Sequence, residues 1–274
     1  MKHIAITIDK NYVVPAAVML HSLLLNNNPK DVHIHVILNF DSHIYKIPVI
    51  YILKKHKCKY SFYLIRDEDI HFAKDLVISH HVTLATYYRL FLHTILNDLD
   101  AVLFLDSDLI VDGSLDDLFI NNLTNYSAAA VFYNNEERIK KLNLSHGYFN
   151  AGVMHLNLAY FRQHNYTHRF TAFIEKNAEK ILYWDQDVLN SVLAGTVMQL
   201  NKKWNYISIN IDENDKTIKP VIIHFTGTHK PWGKHGCPHK ISYKYFEYLN
   251  KDIGLRIINK VFNLYALIIY KLSI

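Results

Sequence analysis

The chain has 274 residues, half of them hydrophobic and 20% charged, with a net charge of +5 and a pI near 8.9. That is enough apolar material for one large domain or two small ones, and it excludes a disordered chain. Two cysteines exclude a disulfide framework, and the basic excess comes with neither zinc-finger spacing nor an aromatic-and-basic nucleic-acid motif, so no nucleic-acid partner is expected.

Ile4–Ile8 alternates like a short strand. The stretch lacks the apolar core and cleavage site of a signal peptide, and a cytoplasmic location is the expectation. Asp9-Lys10-Asn11-Tyr12 is a polar break at the strand's end. Pro15 suits the first turn of a helix that Ala16–Leu25 continues, and Asn26–Pro29 closes it. Val32, Ile34, Val36 and Leu38 give a second strand, Ile44–His56 a second helix and Ser61–Ile65 a third strand. This rhythm favours a parallel sheet with helices on both faces. No glycine precedes Gly113, so neither a dinucleotide fingerprint nor a P-loop can follow the first strand. Any phosphate bound there must be held by a metal and by side chains.

His81 falls in a loop before a predicted helix over Thr86–Leu96. That helix carries Arg89 among apolar positions, with its head either in solvent or in a site. Ala101–Asp108 runs five apolar residues into Asp106-Ser107-Asp108. It reads as a strand buried on both faces whose two carboxylates, two residues apart, aim at one spot past its end. Ligands bind at that place in open α/β sheets, and two hard oxygen donors suit a divalent cation and, through it, a diphosphate. The plainer alternative is that Asp is common wherever a strand turns.

A short helix at Leu115–Ile120 and a strand at Ala128–Phe132 follow. Tyr133–Gly147 reads as a loop or lid. Gly147–Val153 gathers small and aromatic residues, where a ligand or a backbone can come close and Asn150 could read a hydroxyl. Phe170–Asn177 looks helical. Trp184-Asp185-Gln186-Asp187 opens another helix, whose dipole accounts for the acids and leaves the Gln unexplained. Val221–Phe225 is a last strand containing His224. The loop after it, Thr226–Trp232, places Gly227, Lys230 and Trp232 together, with Lys230 as a point charge for an oxyanion. From Tyr243 to the end, lysines and Arg256 mix with aromatic and aliphatic residues. Val261–Tyr270 is too short to span a bilayer, and an amphipathic helix lying on an anionic leaflet fits better.

Six of these pieces in this order resemble the family 8 glycosyltransferases, in particular the bacterial lipopolysaccharide galactosyl- and glucosyltransferases. They are Ile8–Tyr12, Thr86–Leu90, Leu105–Asp108, Tyr148–Val153, Trp184–Asp187 and His224–Trp232, spread over about residues 3–235. The resemblance implies an α/β, Rossmann-like GT-A fold, a mixed sheet flanked by helices. The glycosyltransferase domain would occupy residues 1–235 and a basic, membrane-associating tail residues 236–274. It further implies a UDP-galactose or UDP-glucose donor, Mn2+ with Mg2+ as the alternative, a saccharide acceptor on lipopolysaccharide or lipooligosaccharide, and retention at the anomeric carbon. Asp106, Asp108 and His224 would hold the metal, with Ser107 between them. Asp9, Asn11 and Tyr12 would cradle the uracil and ribose. His81 and Lys230 would meet the diphosphate, which Gly227 lets the backbone approach. Arg89, Asn150, Ala151, Asp185 and Gln186 would surround the donor sugar. Gln186 would stabilise and position the sugar, Lys230 would add charge at the leaving group, and Asp185 is the fallback nucleophile. The alternatives are a UDP-sugar-binding protein with little catalysis and a sugar nucleotidyltransferase. The latter needs a Gly-rich basic loop that the chain lacks.

Overall fold

The computed structural model describes residues 1–66, 84–207 and 217–272. Three parallel strands, β1 (Lys2–Ile8), β2 (Val32–Leu38) and β3 (Lys59–Leu64), are joined by helices α1 (Val13–Asn26) and α2 (His43–Lys55). After the 3-10 helix Leu84–Phe91 come α3 (Leu92–Ile95), β4 (Ala101–Leu105), β5 (Leu109–Val111), α4 (Asp116–Phe119), β6 (Ala128–Tyr133) and α5 (Glu136–Lys141). The long strand β7 (Tyr148–Asn157) leads into α6 (Leu158–Gln163), α7 (Tyr166–Asn177) and α8 (Trp184–Val192). Short strands β8 (Val197–Gln199), β9 (Tyr206–Ile207) and β10 (Ile222–His224) precede α9 (Tyr243–Asn250) and α10 (Ile253–Leu272).

The main sheet has the order β3-β2-β1-β4-β7-β6-β8, and β5-β10-β9 form a second, small sheet. β4 is parallel to β1 but antiparallel to β7, so the sheet is mixed. The two predicted faces are both filled. Leu103 and Leu105 point into a core built with α1, α2 and α9, while Val102 and Phe104 point into one built with α6, α7 and α8. Alternation along a strand sends neighbours to opposite faces, which is why β4 is apolar at every position.

The sequence reading differs from the structure at two places that matter for the site. Thr86–Leu96 is not one α-helix: a 3-10 helix runs to Phe91 and only Leu92–Ile95 is α-helical. The tighter winding sets residues three apart above one another, here Tyr87 with Leu90 and Tyr88 with Phe91, all buried. Within Tyr133–Gly147, Glu136–Lys141 folds as α5. The Asn135 side chain accepts from the Arg138 N–H at its start, acids occupy the first turn and lysines the last, as the helix dipole favours.

At the C-terminus, Tyr245, Tyr248, Leu249 and Leu255 are core residues. Asp252 starts α10 by accepting from the Leu255 N–H at 2.6 Å, and it pairs with Lys55. Beyond that anchor, Ile253, Ile257, Val261, Leu264 and Ile268 are exposed at helical spacing on one side of α10. Among the described residues no helix is long and apolar enough to cross a membrane.

Candidate active site

β4 ends at Leu105, and the turn to β5 carries Asp106 and Asp108. Both ends of the turn are stitched by backbone: the Asp106 N–H donates to the Gly152 carbonyl at 2.8 Å, and the Phe225 N–H to the Asp108 carbonyl at 3.0 Å. β10 runs antiparallel to β5 with His224 opposite Leu109, so His224 comes beside Asp108. Its Nε2 lies 3.2 Å from Asp108 Oδ1 and 3.8 Å from Asp106 Oδ2. One ligand atom from each of the three residues falls within 4.8 Å of the others. Gly152 leaves them room. A Cβ there would meet His224 Cε1 at 2.2 Å and Asp106 Oδ2 at 2.6 Å, so only glycine fits under the cluster.

A chain of amides fixes which imidazole nitrogen faces the carboxylates. Two backbone N–H groups, which can only donate, set its polarity. The Gly152 N–H donates to Asn150 Oδ1 at 3.0 Å, and the Ala151 N–H to Gln186 Oε1 at 3.0 Å. Asn150 Nδ2 therefore donates to Gln186 Oε1 at 3.2 Å, and Asn205 Nδ2 donates to Asn150 Oδ1 at 2.8 Å. Asn205 Oδ1 is left as an acceptor 3.0 Å from His224 Nδ1. Nδ1 thus donates to Asn205, and Nε2 is the nitrogen that faces Asp106 and Asp108. A metal-binding histidine needs this tautomer, and a polar partner on its far nitrogen enforces it.

Arg89 closes the other side. Its guanidinium is buried, 2.7 Å from Asp106 Oδ1, 2.6 Å from Asp185 Oδ2 and 2.7 Å from the Ala151 carbonyl, with its carbon 4.4 Å from the centre of the Phe104 ring. The solvent-facing alternative for this residue is thereby overturned, because the acids and the carbonyl hold the head inside. Burial pushes the Asp185 carboxyl up to about 7, against the pull of Arg89 and with the Asp106 charge adding to the rise. Asp108 also pays for burial, but Lys230 and His224 outweigh that and hold it well below the usual carboxylate range. Lys230 Nζ sits 2.5 Å from Asp108 Oδ2 and 2.6 Å from the Phe225 carbonyl, so in this structure it meets a carboxylate of the Asp106–Asp108–His224 cluster.

Gln186 is held at both ends. Its Oε1 takes the two hydrogen bonds above, and its Nε2 donates to the Tyr133 and Tyr148 hydroxyls at 3.2 and 3.1 Å. Tyr148 in turn donates to Asp187 at 2.6 Å. Asp187 is fully buried and also accepts from Arg138 at 2.6 Å and from the Leu182 and Tyr183 N–H groups at 2.7 Å each. These last two bonds tie the turn before α8 to its first turn, where Trp184 adopts a left-handed φ of 45°.

The remaining sequence-predicted residues fall around this centre. Asp9 accepts from the Asn11 and Tyr12 N–H groups at 2.7 and 3.2 Å, and burial raises its carboxyl. The Tyr12 ring meets Trp232 edge-on at 6.0 Å, which joins the Asp9–Tyr12 turn to the Lys230 loop. Burial, with the charges of Asp108, Asp9 and Asp106 added, raises the Tyr12 hydroxyl far above its ordinary range. Gly227 has a φ of 79°, a turn only glycine makes easily. Ser107 points the other way, donating to the Thr7 carbonyl at 2.9 Å, and so splints β1 to the turn. His81 lies outside the described residues. The sequence reading did not place Asn205, Tyr133, Tyr148, Asp187 or Arg138 in the site. Asp187 stood inside the quoted Trp184–Asp187 motif, where the helix dipole explained it away. Asn205 follows a three-residue 3-10 turn and carries no local signal.

Two carboxylates and an imidazole whose Nε2 faces them form a donor set for a divalent transition cation, and an all-oxygen site would serve Ca2+ better. The amides and hydroxyls alongside can recognise a polyhydroxylated ligand. The family model of glycosyl transferase family 8 matches residues 3–236. A lipopolysaccharide 1,3-galactosyltransferase of Salmonella typhimurium is 30% identical over 86% of this chain and 74% of its own length. A lipopolysaccharide 1,2-glucosyltransferase of Escherichia coli is also 30% identical, over 87% of this chain and 75% of its own. The galactosyltransferase LgtC, solved with donor and acceptor sugar analogues, superposes with a TM-score of 0.80 at 25% identity over 92% of this chain and 96% of that one. The mixed sheet flanked by helices is the GT-A fold of that neighbour.

Proposed function

Because the chain belongs to glycosyl transferase family 8, we propose that it is a retaining transferase that moves galactose or glucose from a UDP-sugar to a saccharide acceptor of the lipopolysaccharide or lipooligosaccharide type. The observation that carries this reading is the meeting of Asp106, Asp108 and His224 with Arg89, Asp185, Asn150 and Gln186 at the C-terminal ends of β1 and β4, where α/β sheets bind nucleotides. The relatives' names supply the sugar and acceptor classes.

A divalent cation, Mn2+ on this donor set, would be held by Asp106, Asp108 and His224 and supply positive charge where the diphosphate leaves. Lys230 adds a fixed charge at the same edge. Arg89 lies between Asp106 and Asp185 and offsets the charge of both. Asn150 and Gln186 form a polar wall for the sugar hydroxyls. Retention by double displacement needs a nucleophile beneath the ring. The Gln186 oxygen accepts two hydrogen bonds, and Asp185 is tied to Arg89. Both facts favour attack on the face that UDP leaves, with a leaving phosphate oxygen taking the acceptor's proton and the Gln186 amide facing the cationic sugar.

The tail belongs to the same reading. The exposed Ile257, Val261, Leu264 and Ile268, with Lys251, Arg256 and Lys260 nearby, suit attachment of a cytoplasmic protein to the inner face of the membrane. Calorimetric titration with UDP-galactose and UDP-glucose, each with and without Mn2+, tests the donor. Mn2+-dependent binding of one sugar that vanishes in Asp108→Ala is expected. Binding of neither with Mn2+ present overturns the UDP-sugar reading.

A further inference from the structure

We propose that His3, His33 and His35 form a second metal site, a Zn2+ site at the opposite end of the parallel strands from the donor pocket. The sheet register builds it. His3 on β1 pairs with His33 on β2, and His35 lies two residues further along β2 on the same face. One ring nitrogen from each of the three lies within 4.8 Å of the others. His3 Nδ1 is 3.0 Å from His35 Nε2, and the His33 and His35 ring centres are 4.2 Å apart. His33 and His35 are buried in a strand that is buried at every position, where a core would ordinarily place aliphatic residues.

The surroundings orient these rings as ligands. Tyr63 OH sits 3.0 Å from His35 Nδ1 and Ser61 Oγ 3.0 Å from His33 Nε2, both supplied by β3. Tyr63 engages His35 at Nδ1, so Nε2 is the nitrogen that faces His3, and a hydroxyl there can accept the Nδ1–H of a metal-binding ring. Ser61 likewise engages His33 at Nε2, which leaves Nδ1 as the nitrogen that can turn to a cation. Outer partners that fix the tautomer accompany metal-binding histidines generally. The Asp98 charge acts on each ring in the direction that favours a cation, and Lys59 acts against it, as does the chain's N-terminal amine on His3.

Imidazole donors with a water in the fourth position suit Zn2+, whereas the carboxylate-rich donor site suits a harder ion. Zinc here would staple β1 to β2, with β3 held through Ser61 and Tyr63.

The test uses the full-length chain without a polyhistidine tag, carrying Asp108→Asn and His224→Gln to silence the donor site. Equilibrium dialysis against Co2+, a spectroscopic substitute for Zn2+, should leave about one ion per chain with the visible absorption of a tetrahedral site. Zn2+ should raise the thermal midpoint of the same protein, reversibly on chelation. His3→Gln, at the half-buried start of β1, should weaken Co2+ binding at least about tenfold and remove the thermal shift, and His35→Gln should do the same. Absence of bound Co2+ in the folded parent overturns the proposal. So does binding that His3→Gln leaves unchanged.

Discussion

Gly152 lies so close beneath His224 that a methyl group on it would sit 2.2 Å from the imidazole Cε1. The carbonyl of the same residue holds the Asp106 N–H. One glycine therefore spaces one member of the cluster and anchors another. Gly152→Ala should push His224 away from the carboxylates and weaken Mn2+-dependent donor binding by about 10- to 100-fold. The fold around β7 should survive, since the flexible side chains yield before the backbone. Titration of the variant with UDP-sugar and Mn2+ checks this, and wild-type affinity would mean that His224 does not need its present position.

Asn205 acts on the cluster through His224. Its Oδ1 takes the Nδ1 proton and its Nδ2 is committed to Asn150. Asn205→Leu should leave the imidazole free to flip or change tautomer, costing about 10- to 100-fold in metal affinity. Asn205→Asp keeps an acceptor for Nδ1 and should recover most of that loss. If Asp does no better than Leu, Asn205 is packing and not a positioning residue.

How much of this was legible beforehand depended on range. β1, β2, β4 and α1 follow from local patterns, because apolar runs and turn residues lie within a few positions of one another. Asp106 and Asp108 were legible for the same reason: two residues of strand geometry bring them together. The 3-10 winding of Leu84–Phe91 was not, because Tyr87, Tyr88 and Leu90 suit either helix and the choice is made by what they pack against. Asn205 was invisible because its partners, Asn150 and His224, lie 55 and 19 residues away. Arg138 was hidden by its apparent place in a solvent loop, when its side chain reaches Asp187 49 residues on.

Acid should loosen the fold through buried histidines that the site does not use. His155, on β7, is 6% exposed and packs edge-on against Phe119 at 5.2 Å. Burial lowers its pKa from 6.5 to about 4, with a backbone contact at Leu118 opposing. Below 6.5 the unfolded chain takes up a proton that the folded chain refuses. The stabilisation is complete above that pH and is lost progressively down to about 4. The full span is on the order of 2–3 kcal/mol. Urea midpoints measured from pH 7 to 4.5 should fall less steeply in His155→Leu than in the parent. Parallel curves would show that His155 does not titrate on unfolding.

The outer face of α10 can be changed without touching the core, because Leu255 and Asp252 make the anchor and Ile257, Val261, Leu264 and Ile268 lie outside it. Replacing all four with Ser removes apolar area from the face proposed to meet lipid. Each side chain contributes up to about 1.5–3 kcal/mol when fully buried, so partition onto vesicles containing anionic lipid should drop at least about tenfold. Turnover of a soluble acceptor should stay the same. Unchanged partition would move the membrane contact elsewhere or remove it.

Gln186 is the residue on which the stereochemical reading turns. Its oxygen is engaged by the Ala151 N–H and Asn150, and its nitrogen by Tyr133 and Tyr148. Such a side chain is preorganised: it need not reorient when charge develops on the sugar, which is where fixed dipoles are most effective. Removing one such group typically costs about 100- to 1000-fold in kcat. Gln186→Ala should show a loss of that size with a much smaller change in donor KM, since the interaction strengthens only as the sugar becomes cationic. A loss of only a few-fold would take Gln186 out of the reaction. A trapped glycosyl adduct on Asp185 would replace same-face attack with double displacement, and it would require Arg89 to release that carboxylate during the cycle.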